Sequence, residues 1–148
     1  MIAVRNATEE DAAKIVSFQQ AMALETENIF LGTGIVTPGV SRVFRDPSKG
    51  RYYVAADNDE VVASLLITYE WSDWRNADVW WFQSVYVLPE YRRKGLFRKM
   101  YDHVRSEALA AGAAGLRLYV ESNNLPALKT YEAMGMNSQH YTMYEWMR

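Results

Sequence analysis

The chain predicts an α/β fold, a central mixed sheet flanked by helices with an N-terminal strand and helical arm, and three observations carry that prediction. The segment 79–87, VWWFQSVYV, is dense in aromatic and β-branched residues and runs into a glycine turn at Gly95. A helix pattern with one apolar stripe, Leu96, Met100, Val104 and Ala108, follows and stops at Gly112. An alternating strand and a short helix come next, so strand, helix, strand and helix succeed one another as in a βαβα unit. Such a unit has parallel strands and helices packed on the sheet.

The other elements are read in chain order. Ile2 to Arg5 form a short first strand, and Thr8 opens a helix whose first turn carries Glu9, Glu10 and Asp11 at the positive dipole end. That helix runs to about Ala23. The stretch from Glu25 to Gly32 breaks its pattern, and a second short helix begins after Pro38 and ends before Asp46 and Pro47. Tyr52 to Ala56 and Val61 to Tyr69 make a hairpin across Asp57, Asn58 and Asp59. A polar turn from Ser72 to Ala77 leads into 79–87, which reads as a strand buried on both faces at the sheet centre. Beyond Gly112, Leu116, Leu118 and Val120 alternate with Arg117, Tyr119 and Glu121 as a strand. Asn124 to Met134 form a helix with Pro126 in its first turn and Gly135 past its end, and Tyr141 to Met147 close the chain as a last strand.

At 148 residues, 49% hydrophobic and 23% charged, the chain has the balance of one folded domain covering residues 1–148. A net charge of -2 argues against wholesale nucleic-acid binding, which needs a basic surface. With no cysteine, disulfides, thiolate metal sites and a cysteine nucleophile are excluded, and two isolated histidines do not make a metal site. The start lacks a signal-peptide core and no apolar run approaches the roughly 18 residues that span a bilayer, so a cytoplasmic protein without a membrane partner is expected.

Chemistry concentrates between Val85 and Arg98. A buried strand ends at Pro89, a basic turn follows, and a helix starts near Gly95, so free N–H groups of the first helical turn converge where an anion can sit. Arg92, Arg93, Lys94 and Arg98 put positive charge beside a helix end that is already positive, a cost that a pyrophosphate would relieve. On spacing alone, these cations read equally well as a solvated basic loop. No Walker phosphate loop or dinucleotide fingerprint is present.

At these residues the chain resembles the GNAT superfamily of N-acetyltransferases. Arg92-Arg-Lys-Gly95-Leu96-Phe97 is similar to the family pattern R/Q-x-x-G-x-G/A, departing at Phe97, and Val85-Tyr86-Val87 looks like its V-x-V strand. Asn124-Leu-Pro-Ala127 through Tyr131 to Gly135 resembles N-x-x-A-x-x-x-Y-x-x-x-G-F, with Met136 in place of the aromatic. The resemblance covers roughly the C-terminal half. It implies acetyl-CoA as co-substrate, its pantetheine arm along Val85, Tyr86 and Val87, its phosphates on the turn from Arg92 to Arg98, and Asn124 near the arm. It also implies that Tyr131 protonates the departing sulfur after an amine attacks the thioester. Helical spacing by itself makes Tyr131 a core contact and Asn124 a cap.

The acceptor side is less legible. Glu25, Glu27, Glu70 and Asp73 with Trp71, Trp74, Trp80 and Trp81 would suit a cationic amine; Glu121 lies near an expected strand end, and Gln83 lies on the strand just before Val85. The tryptophans read alternatively as core or as a homodimer interface. Gln83 and Ser84 are not useful bases, which leaves Glu70, Asp73 and Glu121 as candidate carboxylates or none at all. The expected function is therefore acetyl transfer to a small-molecule or peptide amine. A non-catalytic acyl-CoA-binding or sensor domain is the alternative.

Overall fold

The structure is a computed structural model describing residues 1–148. The chain forms two compact units, Met1–Leu118 and Tyr119–Arg148. The first unit is built on a five-stranded sheet in the order β1-β2-β3-β4-β5: β1 Ile2–Asn6, β2 Arg51–Asp57, β3 Glu60–Ser72, β4 Ala77–Val87 and β5 Gly115–Leu118. Successive pairs from β1 to β4 are antiparallel, and β4 pairs β5 in parallel across the helix α3, Leu96–Ala110. Asn58 and Asn76, both with positive φ, turn the two hairpins, as short amide side chains allow.

Two helical layers cover the sheet. Helices α1 (Ala12–Glu27) and α2 (Thr33–Arg45) lie over one face, where Ile15, Val16, Phe18 and Val40 pack with Tyr52, Val54, Val61 and Tyr86. Strand alternation sends Tyr53 to the other face, where its ring meets His103 of α3 and its hydroxyl donates to Glu107 at 2.8 Å. On that face the expected α3 stripe is buried, with Met100 and Val104 at 0% exposure. Burying such side chains stabilises the fold by roughly 1.5–3 kcal/mol each.

The structure corrects five expectations. The first helix continues to Glu27 and ends where Asn28 turns left-handed (φ 53), because Glu25, Thr26 and Glu27 are all compatible with a further turn. The second helix starts at Thr33, with Pro38 inside it; the carbonyl that loses its partner belongs to Gly34, which is exposed to water. The sheet centre is β3 rather than β4. Of β4, Val79, Trp80, Phe82 and Tyr86 are buried and the rest half-buried, since the only strand beyond it is the four-residue β5. Finally, 141–147 forms no strand: an alternating pattern becomes a strand only with a neighbour to complete its ladder, and Tyr144 and Trp146 are 93% and 86% exposed. β5 likewise stops at Leu118.

The second unit contains α4, Leu125–Ala133, with Pro126 in its first turn. The Asn124 side chain caps it by accepting from the Ala127 N–H at 3.3 Å, and Gly135 follows its end at φ 89.

Candidate functional site

Strand β4 changes character halfway along. Its pairing with β5 ends at Phe82 opposite Leu118. Immediately afterwards its register with β3 slips: Gln83 faces Leu66 while Tyr86 faces Ser64. Ser84 and Val85 thus oppose the single residue Leu65, which is a β-bulge, and Ser84 sits at φ 50 to make it. The Leu88 N–H donates to the Val62 carbonyl at 2.9 Å, so alternation turns the N–H and C=O of Val85 and Val87 away from β3. They face the side on which the β5 ladder has ended. The Val87 carbonyl there accepts from Arg92 Nε at 2.7 Å. An extended chain carrying amides finds on this edge the groups that a missing strand would have used.

The strand runs directly into the basic turn. A short 3-10 turn, Pro89–Tyr91, leads to Arg93 at φ 63 and Gly95 at φ 78, after which Leu96 is buried at the start of α3. A Cβ built on Gly95 meets nothing within 4 Å, so the position asks for glycine through its backbone conformation and not through crowding. The N–H groups of the first turn of α3, from Leu96 on, have no acceptor within the helix itself. Phe97, the departure from the family pattern, turns its ring towards Phe82 and Tyr101, at centroid distances of 6.0 and 6.3 Å. Packed there, the ring leaves the turn accessible. Arg98 pairs with Asp102 and Lys99 donates to the Ile2 carbonyl, whereas Arg93 and Lys94 enter no ion pair.

Arg92 is engaged more closely than its place in a basic loop suggests. Its Nη2 donates to Glu25 Oε2 at 2.8 Å, and its guanidinium lies 5.2 Å from the centroid of the Tyr86 ring. The Tyr86 hydroxyl donates to Glu25 Oε1 at 3.1 Å. The Arg92 guanidinium holds the Glu25 carboxyl below its ordinary range, and burial with the neighbouring carboxylate raises the Tyr86 phenol. Glu25 is thereby brought to the β4 edge by the last turn of α1.

The remaining expected residues are placed separately. Glu70 accepts from Arg117 at 2.6 Å and from Trp81 Nε1 at 3.2 Å, and Gln83 donates to Thr68 at 3.3 Å. These lie on β3, β4 and β5, whereas Glu25 is bonded to Tyr86 and Arg92. Trp80 and Trp81 point to opposite faces of β4, and Trp74 is 92% exposed in the hairpin, so the four tryptophans do not form one wall. In the second unit, Glu121 is exposed, Asn124 caps α4, and Tyr131 is half-buried on that helix. Burial raises the Tyr131 phenol above its ordinary 10. Two features had no sequence signal: the Ser84 bulge, because serine does not announce a left-handed residue, and the bond between Glu25 and Arg92, which are far apart in the chain.

The chain spans less than half the length of the curated relatives it matches. It is 35% identical over 75 residues to a bovine (Bos taurus) thialysine N-epsilon-acetyltransferase, covering 51% of this chain and 44% of that one. It is 37% identical over 54 residues to the ribosomal protein bS18-alanine N-acetyltransferase of Escherichia coli strain K12, covering 36% of each. A crystal structure of a possible acetyltransferase from Clostridium difficile 630 superposes with a TM-score of 0.91 at 41% identity, covering 100% of this chain and 98% of that one. The acetyltransferase (GNAT) family model matches residues 13–136, the stretch that includes the bulged strand, the Gly95 turn and the Asn124-to-Gly135 helix, and the chain belongs to that family.

Proposed function

We propose that the protein transfers an acetyl group from acetyl-CoA to a primary amine by direct attack of the amine on the thioester. One observation carries the reading: beyond Phe82 the β4 edge, with the backbone groups of Val85 and Val87 turned outward, leads straight into a basic turn at a helix start. A pantetheine arm carries amides that pair with such an edge, and a pyrophosphate suits the N–H groups and cations of the turn. The pieces stand in the order in which they occur along acetyl-CoA.

Chemistry then follows from the donor. Attack of a neutral amine forms a tetrahedral oxyanion, for which a backbone N–H on the bulged edge is a suitable donor, and expels a thiolate. Tyr131 serves as the acid that gives its proton to sulfur, and the proton that the amine nitrogen sheds as the amide forms returns through solvent to restore the phenol. The thiol, at about 8.5, holds the proton less tightly than the phenol, so the transfer is downhill only where the site stabilises the phenolate or the proton moves late. The acceptor class is an amine on a small molecule or peptide, consistent with the names of the bovine and bacterial relatives. A cytoplasmic location goes with this reading.

The test is release of free CoA thiol from acetyl-CoA over a panel of polyamines, amino acids and peptide N-termini. Amine-dependent release supports the reading. CoA binding without release on any amine would leave a non-catalytic acyl-CoA-binding domain, and no CoA binding would reject both.

A further inference from the structure

We infer that Glu25 is a positioning residue for the acyl-CoA donor, holding the Val87 carbonyl and the open edge of β4 through Arg92 and Tyr86. The inference rests on the proposed function and moves Glu25 from the acceptor side, where its charge alone would put it, to the donor side.

The contacts form a closed circuit. Glu25 Oε1 accepts from the Tyr86 hydroxyl at 3.1 Å and Oε2 from Arg92 Nη2 at 2.8 Å. The same guanidinium donates through Nε to the Val87 carbonyl at 2.7 Å and lies over the Tyr86 ring. Tyr86 and Val87 are neighbours on β4, so one carboxylate fixes both a side chain and a backbone group of the edge. Val87 has two lone pairs on its carbonyl; Arg92 uses one and orients the group, leaving the other for an amide of the pantetheine arm. A carboxylate with both oxygens already accepting, one of them from a cation, has little net attraction left for an acceptor ammonium. The side chains of Glu25 and Arg92 are each 41% exposed, so their pair adds little to global stability. Its effect is expected in binding.

The experiment is calorimetric titration with CoA of the unaltered protein, Glu25→Gln and Glu25→Ala, accompanied by thermal melts and by KM for acetyl-CoA and for an active amine. Glu25→Ala should weaken CoA binding roughly fivefold to thirtyfold with little change in melting temperature, since it removes an anchor of the guanidinium. Glu25→Gln, which keeps an acceptor oxygen, should recover part of that loss. KM for the amine should stay within about twofold, because the acceptor is not what Glu25 touches. If Glu25→Ala does not fold, the isosteric Glu25→Gln carries the same comparison. CoA affinity equal to that of the unaltered protein in the folded variants, or a rise confined to the amine KM, would overturn the inference and leave the proposed function standing. Failure of the unaltered protein to bind CoA would overturn both.

Discussion

The two halves of β4 share a backbone and differ in what borders it. From Val79 to Phe82 the strand lies between β3 and β5, with every residue paired on both sides. From Ser84 to Val87 it keeps β3 and has no strand on its other edge. The first half is structural because strands pair it on both sides; the second is open because no strand pairs its outward groups, and only Arg92 reaches the Val87 carbonyl. A single bulge at Ser84 separates the two. On the proposed reading, the comparison teaches that a site for an amide-bearing ligand is made by ending a ladder early, without specialised side chains.

The largest effect that would sharpen the contrast is Trp81→Pro. Trp81 lies between Thr68 and Arg117, so whichever strand its N–H meets loses a bond, and the ring has no room in a central strand. A loss of about 3 kcal/mol or more is expected in urea unfolding. Tyr131→Phe should come next, lowering kcat by about 10- to 1000-fold while CoA affinity stays within about twofold, as read by single-turnover kinetics and calorimetry. A thioester with a more acidic thiol should shrink that defect, since its leaving group needs less help. Unchanged turnover would remove Tyr131 as the acid.

Val87→Pro should do to the open half what Trp81→Pro does not. Its N–H points away from β3, so removal should cost no more than about 1 kcal/mol of stability yet weaken CoA binding by about tenfold. Equal destabilisation by the two prolines would break the comparison. The smallest effect concerns Asp11, which belongs to neither half. Arg5 at 2.8 Å and the Thr8 N–H at 2.8 Å hold its carboxyl below the ordinary 3.8. A lowered folded value means that the stabilisation is present above about pH 3.8 and fades as pH falls through the folded value. Asp11→Asn should therefore cost about 1 kcal/mol at pH 6, and the gap to the unaltered protein should narrow in urea titrations towards pH 2.

What could be read from the sequence was what is local. The period of Leu96, Met100, Val104 and Ala108 states a helix, and the alternation of Leu116 and Leu118 states a strand, because each is fixed by neighbouring residues. Gly95 stood out because it lies between a basic turn and an apolar helical stripe, where the helix begins; its left-handed φ of 78 came from the fold. The sheet centre was not legible, since aromatic content at Trp80 and Trp81 reports burial and not strand order. Nor was the fate of 141–147, whose pattern is complete only with a partner strand chosen elsewhere in the chain. In the site, the turn and the V-x-V strand were legible as motifs. The bulge that opens the strand was not, because Ser84 adopts its φ of 50 for tertiary reasons. Glu25 was legible as an acid near the site but not as the partner of Arg92, a pairing that only the folded chain makes.

The central claim is that the outward edge of β4 beyond the bulge receives the acyl-CoA arm. Amide hydrogen exchange resolved at Val85 and Val87 tests it most directly, in the free protein, with CoA, and with ADP, which lacks the arm. The account predicts slowed exchange at both residues with CoA and none with ADP, while Trp80 to Phe82, paired on both sides, stay slow throughout. Exchange at Val85 and Val87 that is unaltered by saturating CoA, or slowed equally by ADP, would contradict it.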